Sequence, residues 1–337
     1  MDRRDFLSHA CRIVGTTAFG LSMIETVLVS DAEAALKKQL HQPKPPAPKP
    51  APRFHIPESP PVFITADYHP PTSSEYRQRI ERATLDFLHD RYADKPFWGS
   101  RKVNDVDIEK RIHWILHWTM KGVQEAAPIF PVDPLVLIAQ MYEESRFNEF
   151  AISSAAAAGV AQFIKPSAKE YGMQCAGKQN REGCKLPEHA DAYERFLKIG
   201  AARARAQRVI MDIEDVPENY LDLKEMSEQQ QSALNNYRRF LAANVKGRDI
   251  FDEKDRRFLE GFDERFGYRK PIPAMAVYMA GNLKECNGYV AAALIGYNAG
   301  MGWVREKKGR MPMIKESVRY AEAIQFTYRA IAQRANV

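Results

Sequence analysis

Asp133-Pro134-Leu135-Val136-Leu137-Ile138-Ala139-Gln140-Met141-Tyr142-Glu143-Glu144 is the stretch from which the fold of this 337-residue chain is read. Asp133 is a residue type that caps helices, and Pro134 suits the first helical position, where no N–H is needed. The apolar run that follows predicts a buried helix ending near the two glutamates. On that helix Leu137, Met141 and Glu144 recur at i, i+4 and i+7 and share one face, while Gln140 and Glu143 share another. Glu143 therefore joins a polar stripe and Glu144 an apolar one. A carboxyl group on a core-directed face is expected to hold its proton tightly, because desolvation disfavours the charged form. A general acid working near neutral pH needs that property.

Helical patterning extends outward in both directions. Ser73 or Ser74 starts one helix that ends near Tyr92, and a second runs from about Val106 to Ala126. Beyond Cys184, long helical stretches are expected at roughly 188–212 and 227–246. The latter is opened by Ser227 with Gln230 in capping-box spacing. A charged helix follows at 253–266, Lys270-Pro271-Ile272-Pro273 interrupts the chain, and helices resume to the C-terminus. No strand-like alternation of any length occurs, so the chain reads as mostly α. His113 and His117 are four apart, but Trp114 stands where a zinc-binding HExxH segment carries Glu, and the expected metal ligands are none.

The first 61 residues have a different character. Arg3-Arg4-Asp5-Phe6-Leu7, an uncharged stretch from Ile13 to Ile24, and Ala32-Glu33-Ala34 follow one another as basic, apolar and small-residue regions. That order predicts an export signal over 1–34, twin-arginine-like, with an apolar run too short for a stable transmembrane anchor. Nine prolines between Pro43 and Pro61 predict an extended spacer over 35–61. The expected location is exported, periplasmic or cell-wall associated. A net charge of +6 suits nucleic acid, anionic membrane or an anionic wall polymer. Export and the lack of a recognisable motif argue against nucleic acid. Of the four cysteines, Cys11 lies in the signal. In an oxidising compartment Cys175 and Cys184 are placed to close a short loop, and pairing of either with Cys286 is equally allowed.

Glu144-Ser145-Arg146-Phe147-Asn148 is followed by Ser153, by Gly159-Val160-Ala161-Gln162, and far downstream by Gly296-Tyr297-Asn298-Ala299-Gly300 and Glu316-Ser317-Val318-Arg319-Tyr320. In order, and for the first three in spacing, this set resembles the soluble lytic transglycosylase family, enzymes with a lysozyme-like domain. The resemblance covers roughly 125–175 and 270–325. It implies a lysozyme-like catalytic domain over 125–337 with a helical insertion at about 180–268, preceded by an N-terminal helical extension over 62–124. It implies Glu144 as the catalytic acid/base and Ser153 as a hydrogen-bonding partner near that carboxylate or the substrate. Gln162 would contact an acetamido sugar in the groove, Tyr297 and Tyr320 would sit over Glu144, and Glu316 would close the far side. Asn298 is expected to hold local backbone, and Gly300 to end its helix. Ala161 stands where the family usually carries Met.

Most glycosidases use two carboxylates, with substrate-assisted enzymes as exceptions. Here only Glu144 is assigned with a catalytic part. The expected activity is cleavage of the MurNAc–GlcNAc β-1,4 bond of peptidoglycan without water, giving 1,6-anhydroMurNAc ends and needing no cofactor. The alternatives are a hydrolytic muramidase on the same bond and a non-catalytic peptidoglycan-binding scaffold. The expected partners are glycan strands, with the insertion as a groove wall, a dock for a cell-wall protein, or both.

Overall fold

Ser73 and Asp133 cap the helices that their positions in the sequence announce. In the computed structural model the Ser73 hydroxyl accepts from Tyr76 N at 3.1 Å and starts α1, Ser74–Arg91. Asp133 Oδ1 accepts from Leu135 N at 2.8 Å and Val136 N at 3.2 Å and starts α3, Pro134–Ser145, with Pro134 in its first turn. Between them lies α2, Ile108–Ala126. The structure describes residues 56–211, 217–306 and 315–336. The chain divides into two compact units, Met1–Ile56 and Pro57–Val337. Of the first only Ile56 is described, so the export signal expected at 1–34 and the proline-rich spacer up to residue 55 lie outside the described residues.

Within Pro57–Val337 helix dominates. Among the described residues the extended segments make only isolated bridges, which accords with the mostly α reading. After α3 come the short α4, Lys165–Glu170, then α5, Ala192–Met211, α6, Pro217–Val245, and α7, Glu253–Phe262. The chain ends with α8, Pro271–Glu285, α9, Val290–Ala299, α10, Met301–Glu306, and α11, Lys315–Ala335. Pro271 and Pro273 do not so much break the chain as begin α8, since proline is accommodated in a first turn.

Helix α3 is the centre of the site. Every residue from Pro134 to Tyr142 is buried, and α11 packs along it. Helix α1 also packs on α11, and α2 packs on α8. One extended segment closes against the far end of α8: Ile64 N donates to Gly288 O and Val290 N to Val62 O. Gly288 has φ +79°, and a Cβ there would lie 1.9 Å from Ile64 O, so both the turn and the close approach require glycine.

The segment expected as an insertion, about 180–268, forms a helical hairpin of α5 and α6 followed by α7. Its core holds Tyr193, Leu234, Tyr237, Phe240, Leu241, Phe262 and Phe266, and Ala156, Ala158 and Ala176 of the loops after α3 pack into the same cluster. Helix α6 begins ten residues before the expected start. Ser227 and Gln230 lie within it rather than capping it. Their oxygens instead accept from Arg203 Nη1 on α5, at 3.2 and 3.0 Å, so the Ser-x-x-Gln spacing serves a cross-hairpin contact.

Of the pairings the sequence allows, the Cys175–Cys184 closure is not formed. Both are free thiols, as is Cys286. Cys175 Sγ is turned to the carbonyls of Met173 and Lys165, at 3.7 and 3.9 Å, while Cys184 Sγ donates to Asn180 O at 3.3 Å. The Cys175 and Cys184 thiols are thus each turned to backbone carbonyls rather than to each other. Burial pushes Cys175 up to about 12 and Cys286 up to about 11.

Candidate active site

Helix α3 ends where two consecutive side-chain-bearing residues, Arg146 and Phe147, take left-handed backbone angles, φ 53° and 61°. Such angles cost free energy in residues other than glycine and persist where the surroundings enforce them. Here Trp98 Nε1 donates to Arg146 O at 2.9 Å, and Ser145 Oγ donates to Val160 O at 3.1 Å. Phe147 is fully buried. The turn is held from both sides, which fixes the level at which Glu144 leaves the helix.

The Glu144 carboxylate meets α11. Tyr320 Oη donates to Glu144 Oε1 at 2.5 Å, and the same hydroxyl accepts from Gln140 Nε2 at 3.0 Å. Gln140 and Glu144, one turn apart, therefore reach one tyrosine. Glu143 Oε1 accepts from the Thr327 hydroxyl at 2.6 Å. The polar stripe of Gln140 and Glu143 is thus no solvated face. Gln140 is fully buried and Glu143 half-buried, and each reaches α11, Gln140 through Nε2 and Glu143 through Oε1. The helical period places these side chains on one face, but the sequence carries no mark of the helix that covers that face.

Tyr297, at the C-terminal end of α9, donates to Ala161 O at 2.8 Å and stands 4.9 Å from the Tyr278 ring and 6.2 Å from the Phe163 ring. Tyr171 completes this aromatic wall at 5.8 Å from Phe163. Burial, with the Glu144 charge as the next contribution, pushes the hydroxyls of both Tyr297 and Tyr320 well above their ordinary value. Both groups therefore act as neutral hydrogen-bond donors. Asn298 does more than hold local backbone: its Oδ1 accepts from Ser317 Oγ at 3.0 Å and ties the end of α9 to α11. Gly300, φ +90°, ends α9 with its N–H on Gly296 O, as expected of that turn. Glu316 lies half-buried in the first turn of α11, four residues before Tyr320 and so on the same face.

Ser153 and Gln162 belong to the loop between α3 and α4. Ser153 Oγ accepts from Ala155 N and Ala157 N at 3.2 and 3.0 Å, which leaves the hydroxyl proton as its remaining polar capacity. Gln162, φ 49°, donates through Nε2 to Ala151 O and Gly159 O, at 3.2 and 2.8 Å. Both side chains thus shape the loop that carries them. Gly159 has φ +78°, and a Cβ there would lie 1.8 Å from Arg265 O.

Residues 122–192 match the family model of the transglycosylase SLT domain. The chain carries an SLT domain. The match opens inside α2, takes in all of α3 with Glu144 and the loop with Ser153 and Gln162, and ends at the first residue of α5. At the level of the family, this match supports a function of lytic transglycosylase type with peptidoglycan as the substrate class. No curated protein and no solved structure matches the chain. Tyr297, Glu316 and Tyr320 lie beyond the matched segment. Helix α11 nevertheless brings Tyr320 into contact with the SLT domain's Glu144, and α9 brings Tyr297 onto its loop.

Three buried polar groups around this site had no mark in the sequence. Arg111 grips Glu149 with Nη2–Oε1 at 2.7 Å, and Tyr268 Oη donates to Glu149 Oε2 at 3.0 Å. Arg265 pairs with Asp263 at 2.6 Å, both without exposure. Lys165 pairs with Glu194 at 2.6 Å and donates to Ala176 O at 2.9 Å. Arg111 lies 38 and Tyr268 119 residues from Glu149, and Lys165 lies 29 from Glu194, so no local pattern links them, while Asp263 and Arg265 are only two apart.

Proposed function

We propose that this protein is an exported lytic transglycosylase that cleaves the MurNAc–GlcNAc β-1,4 bond with Glu144 as its single acid/base. The observation that carries the reading is the Glu144 carboxyl group received by the enclosed Tyr320 hydroxyl, beside Tyr297, at the end of the SLT domain's buried helix. A carboxyl so held is positioned to give a proton and take one back. In the proposed cycle, protonated Glu144 donates to the bridging oxygen as the C1–O4 bond breaks. The N-acetyl oxygen of MurNAc stabilises the positive charge that develops at C1. Glu144, now ionised, takes the proton of the MurNAc 6-hydroxyl as O6 bonds to C1. The product is the 1,6-anhydro sugar, and no water enters the balance.

The residues around Glu144 support a one-carboxylate mechanism. Glu143, the nearest carboxylate in sequence, is drawn to Thr327. In this reading Ser153 offers its hydroxyl proton toward the site, Gln162 shapes the groove loop that meets the acetamido sugar, and Glu316 closes the side opposite. Export rests on the order of residues in 1–34. Among the described residues no helix is long and apolar enough to cross a membrane.

The test is mass spectrometry of purified sacculi digested by the wild type and by Glu144→Gln. Wild-type digests are expected to carry ends lighter by one water than hydrolysed ends. The Glu144→Gln variant is expected to bind sacculi while losing at least about a hundredfold in lysis, the usual scale of acid/base catalysis. Reducing ends alone, or lysis undiminished in Glu144→Gln, refutes the proposal.

A further inference from the structure

Gln140 is an amide in a helix segment that is otherwise built for the core. It has no exposure, and its neighbours from Pro134 to Tyr142 are buried with it. Burying an amide is unfavourable unless its hydrogen bonds are recovered. Gln140 recovers only part of them: Nε2 donates to Tyr320 Oη at 3.0 Å, while Oε1 has no hydrogen-bond partner. A leucine would fill the same space without that penalty, so packing alone does not account for the amide.

The geometry beyond Gln140 supplies a reason. A tyrosine hydroxyl has one proton. With the amide N–H directed at the Tyr320 oxygen, that proton is left to point at Glu144 Oε1, 2.5 Å away. Hydrogen bonds in such a chain polarise one another, so the amide also makes Tyr320 a stronger donor. We infer that Gln140 is a positioning residue which, through Tyr320, favours the ionised form of Glu144 and so sets the pH at which the acid/base gives up its proton. This rests on Glu144 being the acid/base.

The groups around Glu144 allow the effect to be read. From α11 comes Tyr320, with Glu316 one turn before it; from α9 comes Tyr297; on α3 itself Glu143 is drawn to Thr327. Both tyrosines stay protonated far beyond neutral pH, so neither produces a limb in the working range.

The experiment compares the pH dependence of lysis at low sacculus concentration for full-length wild type, Gln140→Leu and Gln140→Glu. If Glu144 must be protonated to start the reaction, the descending limb reports loss of its proton. In Gln140→Leu that limb is expected to move to higher pH by roughly half to one unit, the worth of one hydrogen bond. Gln140→Glu is expected to move it further the same way, because a carboxylate at 140 both attracts the Tyr320 proton and repels the Glu144 charge. A purely structural role lowers the rate at every pH and leaves the limb where it was. An unshifted or downward-shifted limb overturns the inference. Should Gln140→Leu fail to fold, Tyr320→Phe is measured instead: an upward shift there supports the relay, and none overturns it. Lysis surviving in Glu144→Gln would remove the acid/base reading itself, whereas loss of lysis there with an unshifted Gln140 series removes this inference alone.

Discussion

Replacing Arg265 by Met tests the claim that the insertion holds the SLT domain's loop in shape. Arg265 is fully buried, at the end of the insertion. Its guanidinium bonds Asp263 at 2.9 and 2.6 Å, the carbonyls of Ala156 and Phe163 at 3.1 Å each, and Tyr237 Oη at 3.1 Å. Methionine fills much of the stem's volume and removes all five bonds. Breaking a buried ion pair from one side costs about 3–5 kcal/mol, because the remaining charge stays buried. Asp263 keeps the amide of Ala176 at 3.0 Å, which softens that cost. Two carbonyls lose their donor, at about 1–3 kcal/mol each when buried. These terms are not additive, and about 4 kcal/mol is a fair minimum against a total of about 5–15 kcal/mol for a typical domain. At about 2–4 °C per kcal/mol, the melting temperature is expected to fall by roughly 8–16 °C. Calorimetry and urea titration followed by circular dichroism measure it. Adding Asp263→Asn to Arg265→Met removes the stranded charge yet keeps an acceptor for Ala176 N, and is expected to restore part of the loss. Arg265→Met within about 1 kcal/mol of wild type, below the usual worth of a buried ion pair, refutes the reasoning. So does a further loss on adding Asp263→Asn.

Gly159→Ala would place a methyl 1.8 Å from Arg265 O at φ +78°. Backbone must shift, and a loss of about 2–5 kcal/mol is expected from left-handed strain plus overpacking, with wild-type stability in urea counting against it. The buried Cys175 thiol, pushed up to about 12 from an ordinary 9.0, is expected to react with a thiol reagent at pH 8 only as the protein opens, well after the half-exposed Cys184; equal rates, or a 175–184 disulfide by mass, contradict this. The same shift sets a pH effect. Above pH 9 the unfolded thiol ionises while the folded one does not, so the stability it contributes is complete below 9 and is lost as pH rises from there toward about 12. Chemical unfolding at pH 8 and pH 11, with Cys175→Ala as control, measures it.

What the sequence made legible was local. Asp133-Pro134 and Ser73 mark helix starts because a cap acts within three residues. Gly300 marks the end of α9 for the same reason. Motif order points to Glu144 and Tyr320 without the contact between them being known. Ser227 misled because its spacing to Gln230 is that of a capping box, yet both side chains face Arg203 across a hairpin that only packing creates. Gln140 and Thr327 were passed over for a related reason. A polar residue on an amphipathic helix reads as exposed until another helix is known to cover it. The i, i+4 spacing of Gln140 to Glu144 was the one available signal, and it acquires meaning only once Tyr320 stands between them.

The insertion and the loop explain each other through hydrogen-bond accounting. Ala155-Ala156-Ala157-Ala158 brings no polar side chains, yet its irregular backbone is largely buried and every buried N–H and C=O needs a partner. The loop supplies some from within, through Ser153 Oγ and Gln162 Nε2. Backbone pairs inside the loop supply more, among them Ala156 N to Ser153 O and Ala158 N to Phe163 O at 3.1 Å each. Others come from downstream: Arg265 Nη1 serves Ala156 O and Phe163 O, and Arg238 Nε on α6 serves Ser153 O at 2.9 Å. The methyl groups of Ala156 and Ala158 meanwhile join the aromatic cluster of that segment. Small residues let the loop approach, and the approach strands carbonyls that arginines must reach. Ser153 and Gln162 therefore sit on a loop whose shape is imposed from residues about eighty to a hundred positions downstream, beyond the end of the SLT match at 192.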